Sequence, residues 1–481
     1  MKLSRLLEKV NVLADTAGDM EIKGICYDSR LAEPGYVFVA IKGFETDGHK
    51  YIRKAAELGA SAVVCETEPD CSIPYVKVDN SRLALALMSC AFYDDPAKEM
   101  YMIGFTGTSG KTSSTHILKY ILENAAGAKV GLIGTNGNMI GATPIHTEHT
   151  TPESLELQAL LRRMADEGCS HVVMEVSSHA LALDRVAGIH YNTAVFTNLS
   201  QDHLDFHKDM KDYASAKRLL FSRCDTAVIN ADDEWADFMQ EGISCPVISY
   251  SAKQNDASLV AKDIRMNEKG VRFAAVYGDS LSLMRLNIPG EFSVYNALSV
   301  TAAALSAGVG LQQCADSMKN APGVKGRMEN VPTGKDFSVI IDYSHKPDAL
   351  EKALKSLRPV TRGRLICLFG CGGDRDKLKR PIMGEIAADN SDLVIVTSDN
   401  PRTEDPQTII NEILEGVKNR HTHYRSICDR TEAIDWAIDK ARPGDVILLA
   451  GKGHEDYQVV GHEKHHMDEK EIVADSLRKL G

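Results

Sequence analysis

The sequence predicts an α/β protein in which helices cover mostly parallel sheets. From about residue 100 onward, short apolar runs alternate with segments of helical pattern, and this alternation is typical of parallel sheets. Many of the apolar runs end in clusters of polar residues, as expected where ligands bind outside the carboxyl ends of strands. The 481 residues, 43% of them apolar, are sufficient for two to four domains with sizeable cores.

Three domains are predicted, covering residues 1–98, 99–331 and 332–481. Asp94-Asp95-Pro96 is interpreted as the linker that ends the first domain, because the residue before a proline disfavours helix. Pro332 marks the start of the third domain, in which the alternation of strand and helix patterns resumes.

The elements of the first domain are short. It begins with apolar residues at helical spacing, which predict an amphipathic helix rather than a signal peptide; they are Leu3, Leu6, Leu7 and Val10. Asp28-Ser29-Arg30 is typical of a turn, although it could also hold a polar ligand. The other predicted elements are strands at 22–27, 36–41 and 61–65 and a helix at 51–60.

The second and third domains are predicted to repeat the alternation of strand and helix. In the second domain the predicted strands are 101–106, 130–134, 171–176, 193–198 and 226–230, with a helix at 155–167. In the third domain they are 338–342, 364–369, 393–397 and 446–450, with a helix at 348–357. The third domain is therefore predicted to be Rossmann-like.

A glycine-rich loop follows the first strand of the second domain. In a loop of this kind the backbone N–H groups and the following helix N-terminus cradle phosphates, Lys111 reaches the terminal phosphates and Thr112 can hold Mg²⁺. Phe105 stands where the full P-loop spacing requires glycine. We predict a P-loop ATPase domain, with ATP bound by Gly107, Thr108, Ser109, Gly110, Lys111, Thr112 and Ser113.

The composition excludes several classes of partner. A net charge of −12 and a pI near 5.8 argue against general affinity for nucleic acid or anionic membranes. The sequence contains no apolar run long enough to span a bilayer. The eleven cysteines are scattered, without zinc-finger spacing, which predicts a reduced, cytoplasmic protein.

Glu175 stands out within an otherwise apolar predicted strand, where a carboxylate is costly unless it is paired or bound to metal. It could lie on the solvated strand end or hold Mg²⁺. Ser177-Ser178-His179 follows without the nucleophile elbow of a serine hydrolase. Asp202 and His203 lie in a cluster without the H-E-x-x-H spacing of a zinc hydrolase.

Charged residues in the third domain suit an amino acid. Arg375 and Arg402 offer planar guanidinium groups for a carboxylate, and Glu455, between glycine turns, could accept from an amine. From the residues alone, surface charge at glycine turns is an equally good interpretation.

Taken together, the motifs resemble the Mur ligases, the ATP-dependent amino-acid-adding enzymes of peptidoglycan precursor synthesis. In that family the phosphate loop begins at the position of Gly107, which accounts for Phe105. The segments that carry the resemblance are Gly107-Thr108-Ser109-Gly110-Lys111-Thr112, Thr150-Thr151-Pro152-Glu153, Met174-Glu175-Val176-Ser177-Ser178-His179, Asn198-Leu199-Ser200-Gln201-Asp202-His203-Leu204-Asp205 and Gly326-Arg327-Met328-Glu329.

The resemblance implies roles for residues that the pattern alone does not single out. Lys217 matches a lysine that is carbamylated by CO₂ to orient Mg²⁺, together with the metal-site positions Thr112, Glu175 and His203. Asn296 and Arg327 match nucleotide contacts, and His345 lies near the nucleotide. The residues that match the UDP-N-acetylmuramoyl-L-alanyl-D-glutamate site are Ser29, Thr150, Thr151, Ser177 and Arg185.

The third domain resembles the branch of the family that adds meso-2,6-diaminopimelate. The distal carboxylate of this amino acid suits an arginine fork, whereas L-lysine has only an ammonium group there. The matching residues are Arg375, Asp399, Asn400, Pro401, Arg402, Gly451 and Glu455.

The resemblance therefore implies a ligase that activates a carboxylate as an acyl phosphate, with Lys111, Lys217, Glu175 and His203 in catalytic roles. We expect this ligase to be a cytoplasmic monomer. Addition of L-lysine remains an alternative. Two further alternatives are a ligase similar to folylpolyglutamate synthetase, whose first domain is absent or different, and a non-catalytic ATP-binding scaffold.

Overall fold

The computed structural model describes residues 1–43, 46–145, 147, 149–267, 269–420 and 422–480. The chain forms two compact units. The first unit comprises Met1–Leu259 and Ser299–Gly310, and the second comprises Val260–Leu298 and Leu311–Gly481. The predicted domain boundaries at residues 98 and 331 remain predictions, because each unit contains more than one folded part.

The first unit begins with a five-stranded sheet in the order β1-β5-β4-β3-β2. Its strands pair in parallel except β1, which is antiparallel to β5. The strands are β1 Val12–Asp15, β2 Gly24–Cys26, β3 Tyr36–Val39, β4 Ala62–Cys65 and β5 Tyr75–Val78, and the helices are α1 Leu3–Leu6, α2 Ile52–Glu57 and α3 Ser81–Phe92.

The N-terminal helix is shorter than the spacing predicts, since it ends at Leu6 and the chain turns through Val10. A helix of one turn lacks most intrahelical hydrogen bonds, so burial of Leu3 and Leu6 in the adjacent core stabilises it. By contrast, α3 is long and capped by Asn80, whose side chain accepts from the amides of Arg82 and Leu83.

A second sheet in the first unit contains β6–β13, in the order β13-β12-β11-β6-β10-β7-β8-β9. Its neighbours from β13 to β7 are parallel, and β7-β8-β9 are antiparallel. The strands are β6 Tyr101–Thr106, β7 Val130–Ile133, β8 Asn138–Ile140, β9 Thr143–Ile145, β10 His171–Glu175, β11 Tyr191–Phe196, β12 Cys224–Asn230 and β13 Val247–Ser251. The helices are α4 Lys111–Ala125, α5 Ser154–Asp166, α6 Ser178–Ala182, α7 Met210–Arg218 and α8 Ala236–Gln240.

The central position of β6 follows from its sequence. The strand is almost wholly buried, as expected for a parallel strand covered on both faces. Its register places Phe105 opposite Glu175 of β10 and Thr106 opposite Phe196 of β11. Three strands thus end at the same edge of the sheet.

The second unit contains a six-stranded sheet in the order β17-β18-β22-β19-β20-β21, parallel except at β17. The strands of this sheet are β17 Glu329–Val331, β18 Ser338–Asp342, β19 Leu365–Phe369, β20 Leu393–Val396, β21 His423–Ser426 and β22 Val446–Ala450. The other strands that follow β13 in the chain are β14 Leu259–Asn267, β15 Gly270–Tyr277, β16 Ser280–Leu286, β23 Tyr457–Val460 and β24 Glu463–His466. The helix α9 Phe292–Ser306 begins in the second unit and ends in the Ser299–Gly310 segment of the first. The other helices of the second unit are α10 Leu311–Met318, α11 Pro347–Leu357, α12 Lys379–Asn390, α13 Pro406–Lys418, α14 Arg430–Asp439 and α15 Glu469–Lys479.

The α/β fold class is confirmed, and the strands predicted in the second and third domains all form, with ends that shift by two residues at most. The prediction omitted the antiparallel pairs β15–β16 and β23–β24. In β16, buried and exposed residues alternate. A strand with only one buried face gives a weaker apolar signal than a buried parallel strand.

Each of the eleven cysteines is free. Among the described residues, no helix is both long and apolar enough to cross a bilayer.

Candidate active site

The glycine loop of residues 107–110 links β6 to α4 in the first unit. Gly107 has φ of +146°, and a Cβ atom at this position would lie 2.0 Å from Thr197 Oγ1. Any side chain at position 107 would therefore collide with the end of β11. Because the loop leads directly into a helix N-terminus, its shape and dipole suit bound phosphates.

Residues that follow β11 hold this loop in place. The Thr108 amide donates to Asn198 O at 2.8 Å, and the Ser109 amide donates to Asn198 Oδ1 at 3.0 Å. The Ser200 amide donates to Thr108 Oγ1 at 3.0 Å. Asn198 and Ser200, which belong to the motif 198–205, are therefore supports of the phosphate loop.

Lys111 and Thr112 form the first turn of α4. The Lys111 ammonium donates to Gly107 O at 2.8 Å and to Thr108 O at 3.1 Å, so its charge lies across the loop. Thr112 is largely buried, and its hydroxyl is an oxygen ligand of the kind that Mg²⁺ accepts. The loop, the cation and the hydroxyl together fit a magnesium nucleotide.

Lys217, near the end of α7, is 1% exposed. Its Nζ atom donates to Gly107 O at 2.9 Å and lies 4.5 Å from the centroid of the Tyr213 ring. Burial, and secondarily the charge of Lys111, lower the pKa of Lys217 far below its ordinary value. A neutral buried amine is the form of lysine that reacts as a nucleophile.

Glu175 is the last residue of β10 and is 1% exposed, so the alternative of a solvated strand end is wrong. The Thr135 amide donates to Oε1 at 2.9 Å, and the Thr135 hydroxyl donates to Oε2 at 3.1 Å. These bonds orient the carboxylate, and each oxygen retains capacity to accept or ligate.

Four of the residues predicted to bind the UDP-linked substrate lie around the end of β10. Thr151 Oγ1 donates to Glu175 O at 2.9 Å and accepts from the Ser177 amide at 3.3 Å. Arg185 Nη1 donates to Thr151 O at 3.2 Å, and Thr150 Oγ1 lies 3.1 Å from Thr135 Oγ1. The network places these polar groups beside the predicted metal residue.

Ser29, the fifth predicted residue, is buried at the start of the 3₁₀ turn Ser29–Leu31. Within the described part of the chain, no hydrogen bond links Ser29 to Thr150, Thr151 or Arg185. The structure therefore does not join Ser29 to the other four residues.

His203, whose backbone φ is +54°, lies in a cluster of aromatic rings. Its ring centroid is 4.8 Å from that of His179 and 6.1 Å from that of Tyr213. Burial, with a smaller contribution from His203, lowers the pKa of His179 to about 4. Across the described residues, no three His, Cys, Asp or Glu side chains are arranged to hold a metal ion. A metal ion held by Glu175 and His203 would thus need a further ligand.

Asn296 and Arg327 are the predicted nucleotide contacts in the second unit, and His345 is predicted to lie near the nucleotide. Asn296 is buried on α9. The Arg327 Cζ atom lies 4.9 Å from the centroid of the Tyr343 ring, and this ring lies 4.5 Å from that of His345. The Tyr343 and His345 rings are tilted by 59° to each other, so Tyr343 offers a single aromatic face with the Arg327 guanidinium beside it.

A cavity of about 580 Å³ opens at the carboxyl ends of β18, β19, β20 and β22 in the second unit. It also contains His345. Six of the seven residues predicted to bind diaminopimelate line the cavity, and Pro401 does not; the six are Arg375, Asp399, Asn400, Arg402, Gly451 and Glu455. These six residues follow three separate strands, β19, β20 and β22.

The hairpin β23–β24 holds the segment 399–402 from outside the sheet. The Arg402 amide donates to Val459 O at 3.0 Å, and the Val459 amide donates to Asn400 Oδ1 at 2.9 Å. Gln458 Nε2 donates to Asp399 O at 2.6 Å. This hairpin was not predicted, so its contribution to the cavity was missed.

The two arginines of the cavity flank Gly372. A Cβ atom on Gly372 would lie 2.8 Å from Arg402 Nη1 and 3.8 Å from Arg375 Cγ. Arg402 Nη1 also donates to Gly373 O at 2.8 Å, which fixes its guanidinium group, whereas Arg375 is exposed. A carboxylate in the cavity could accept from both.

Several residues that support the cavity were not predicted from the sequence. Arg430 is fully buried, pairs with Glu469 at 2.7 Å, and donates to Ala450 O at 2.9 Å and to Ser398 O at 3.3 Å. It thereby joins the ends of β22 and β20. Lys452 is fully buried beside Glu455. Lys452 lies between two glycines directly after a strand, a position that could have marked it as a site residue. Nothing in the sequence around Arg430 distinguishes it from a surface arginine.

Three family models match the chain. The Mur ligase family catalytic domain matches residues 21–93, the Mur ligase middle domain matches residues 105–304, and the Mur ligase glutamate ligase domain matches residues 326–453.

Curated relatives match over the full length. A UDP-N-acetylmuramoyl-L-alanyl-D-glutamate–2,6-diaminopimelate ligase from Caldanaerobacter subterraneus subsp. tengcongensis is 47% identical over 482 residues, covering 99% of each chain. The ligase of the same name from Clostridium botulinum is 44% identical and covers 100% of each chain. A solved structure of a ligase of this name is 34% identical, with a TM-score of 0.74 over 95% of each chain.

Proposed function

This chain belongs to the Mur ligase family, and we propose that it is an ATP-dependent ligase of cytoplasmic peptidoglycan precursor synthesis. It joins an amino group of meso-2,6-diaminopimelate to the γ-carboxylate of the D-glutamate in UDP-N-acetylmuramoyl-L-alanyl-D-glutamate. The full-length relatives named for this reaction support the proposal.

The observation that carries the choice of amino acid is the composition of the cavity in the second unit. Arg402 and Arg375 offer guanidinium groups on one side, and Glu455 and Asp399 offer carboxylates. Diaminopimelate has two carboxylates and two amino groups, so it can use both kinds of group. L-Lysine has no distal carboxylate, and its binding would leave one arginine without an anionic partner.

The reaction proceeds in two steps. The γ-carboxylate of the D-glutamate attacks the γ-phosphorus of ATP, giving ADP and an acyl phosphate, while Lys111 stabilises the charge that develops on the transferring group. An amine of diaminopimelate then attacks the acyl carbon, phosphate leaves, and the nitrogen loses a proton to give the amide. Bound Mg²⁺, held by Thr112, Glu175 and His203, would neutralise phosphate charge.

Lys217 supplies the missing ligand in this proposal. Its buried amine, 2.9 Å from Gly107 O, has a lowered pKa and would add to CO₂ to give an anionic carbamate. The carbamate would provide an oxygen ligand near the phosphate loop, where the unmodified side chain provides none.

The remaining assignments are also part of the proposal. Thr150, Thr151, Ser177 and Arg185, with Ser29, bind the UDP-linked substrate, and Asn296 and Arg327 contact the nucleotide. The protein functions as a monomer of three domains, with boundaries near residues 98 and 331.

The test is phosphate release with Mg-ATP and the UDP-linked dipeptide substrate, comparing meso-diaminopimelate with L-lysine. We expect release with diaminopimelate and little with lysine. A preference for lysine would contradict the cavity assignment while leaving a ligase. No release with either amino acid would contradict the ligase itself and favour a scaffold or a different acceptor.

A further inference from the structure

Lys452 lies between two residues of the amino-acid cavity. It follows Gly451 after β22, is 0% exposed, and is not among the residues that line the cavity. Its ammonium donates to Glu455 Oε2 at 3.2 Å and to Asn400 Oδ1 at 3.1 Å. A fully buried lysine is rare because removing the charge from water is costly unless partners compensate.

The contacts of Lys452 fix how Asn400 presents its amide. Asn400 Oδ1 accepts from Lys452 and from the Val459 amide. With its oxygen engaged by two donors, the amide must direct Nδ2 the other way, and this atom donates to Glu455 Oε2 at 2.8 Å. The orientation of the Asn400 side chain is therefore determined by Lys452 and the hairpin.

The same contacts leave one oxygen of Glu455 available. Oε2 accepts from both Asn400 and Lys452. In the part of the chain that the structure describes, no hydrogen bond is made to Oε1. Since Glu455 lines the cavity, Oε1 is the atom that can accept from a ligand's ammonium group.

We infer that Lys452 is a positioning residue for the amino-acid substrate: it holds Glu455 and Asn400 so that Glu455 Oε1 faces an ammonium group of the bound diamino acid. This inference rests on the proposed function and assigns Lys452 a part in it. Lys452 does not touch the substrate, and it acts through the carboxylate that does.

The physical reason for a lysine here is selectivity rather than stability. Replacing both partners of a buried ion pair by apolar groups is often neutral, whereas removing one partner leaves the other charge unpaired and costs stability. In Lys452→Met the charge left behind is that of Glu455, which keeps its hydrogen bond from Asn400 and is 17% exposed, so we expect the protein still to fold. The ammonium does, however, offset the cost of burying part of the Glu455 carboxylate, so that this residue stays in place when the cavity is empty. Substrate affinity should therefore depend on Lys452 more than folding does.

The test is the steady-state kinetics of Lys452→Met, with the melting temperature measured in parallel. We expect KM for meso-diaminopimelate to rise by about 10- to 100-fold, the equivalent of a lost charged hydrogen bond. The values of kcat and of KM for ATP should change by no more than about twofold, because Lys452 lies outside the residues assigned to phosphate transfer. Should K452M fail to fold, Lys452→Gln is compared in the same way.

Arg364→Met is the matched control. Arg364, which is 27% exposed, forms an ion pair with the buried Asp445 at 2.6 Å, just before β19 and thus at the opposite end of the strands of the same sheet. The Arg364→Met variant should have a lower melting temperature and an unchanged KM for the amino acid. An equal rise in KM for all three substrates of K452M, or an unchanged KM for diaminopimelate, would overturn the inference.

A double-mutant cycle with Glu455→Gln tests whether Lys452 acts through Glu455. If it does, the combined variant should have a KM for diaminopimelate close to that of E455Q alone. Independent, multiplying effects would overturn the positioning role. Failure of the proposed function is distinguished from failure of this inference by the unmodified protein, which would then release no phosphate with any amino acid.

Discussion

The phosphate loop of the first unit and the amino-acid cavity of the second unit are built in different ways. The loop is shaped by backbone over a few consecutive residues, with Gly107 in a conformation that forbids a side chain. The cavity is shaped by side chains that follow four strands. Ion pairs of buried arginines hold the ends of these strands together, such as Arg430 with Glu469 and Arg380 with Glu404.

The difference determines how each site should fail. A change in the loop alters the backbone conformation itself, so every substrate that needs the phosphates should be affected. A change in the cavity removes one of several contacts, so it should weaken one substrate selectively. The predictions that follow separate these two kinds of failure.

Gly107→Ala should have the largest effect. The added Cβ atom would lie 2.0 Å from Thr197 Oγ1, which forces the loop out of place. We expect phosphate release to fall by about three orders of magnitude, comparable to the loss of a preorganised phosphate site. Gly127→Ala is the control, since Gly127 also has a positive φ but nothing lies within 4 Å of its added Cβ. Activity in G107A close to that of G127A would contradict the assigned role of the loop.

Lys217→Ala should have the second largest effect on activity. The variant cannot form a carbamate, and kcat should fall by about 10²- to 10³-fold, as expected for loss of an electrostatic group next to the transferring phosphate. The control is Lys211→Ala on the exposed face of the same helix. A mass increase on Lys217 of the unmodified protein, matching addition of CO₂, would support the carbamate independently. Near-normal turnover of K217A would refute it.

Arg402→Met should affect one substrate only. Loss of the guanidinium group should raise KM for meso-diaminopimelate by about 10- to 100-fold and leave KM for ATP unchanged. The preference over L-lysine should shrink accordingly. The exposed Arg420, which pairs with Glu385 and Asp389, provides the control variant Arg420→Met. Retention of the full preference by R402M would mean that Arg402 does not read the distal carboxylate.

The smallest expected effect concerns pH. The pKa of His179 falls from 6.5 to about 4 in the folded protein, so between these values the unfolded state binds more protons. Folding stability should therefore decrease as pH falls from 6.5 towards 4. In His179→Gln the melting temperature should depend less on pH within this window. An unchanged slope would contradict the assigned burial effect.

Sequence reasoning succeeded where chemistry and sequence are contiguous. The loop 107–113 was identified from one motif. The residues of the cavity each follow an apolar strand, but only the family resemblance assigned them to the amino acid. It failed for Arg430 and Lys452, whose importance depends on burial by distant segments. It also failed for the hairpin β23–β24, since the Glu463–His466 strand is wholly exposed and carries no apolar pattern.

Glu175 and Lys217 illustrate the limit within a single region. The apolar strand around Glu175 marked the carboxylate as unusual, whereas Lys217 lies in a helix with the sequence Ala-Ser-Ala-Lys-Arg and was found only through the family resemblance. Its position beside Gly107 O requires the loop after β6 and the helix α7 to meet. No short-range pattern encodes that meeting.

The most direct measurement of the proposed ligation uses the UDP-linked substrate with ¹⁸O in both γ-carboxylate oxygens of its D-glutamate. The labelled substrate is incubated with Mg-ATP and meso-diaminopimelate, and both products are weighed by mass spectrometry. We expect one ¹⁸O atom in each released phosphate and one in each diaminopimelate-containing amide, because the acyl phosphate transfers one carboxylate oxygen. Phosphate without ¹⁸O, or release with no amide product, would contradict a ligation in which the two sites serve one reaction.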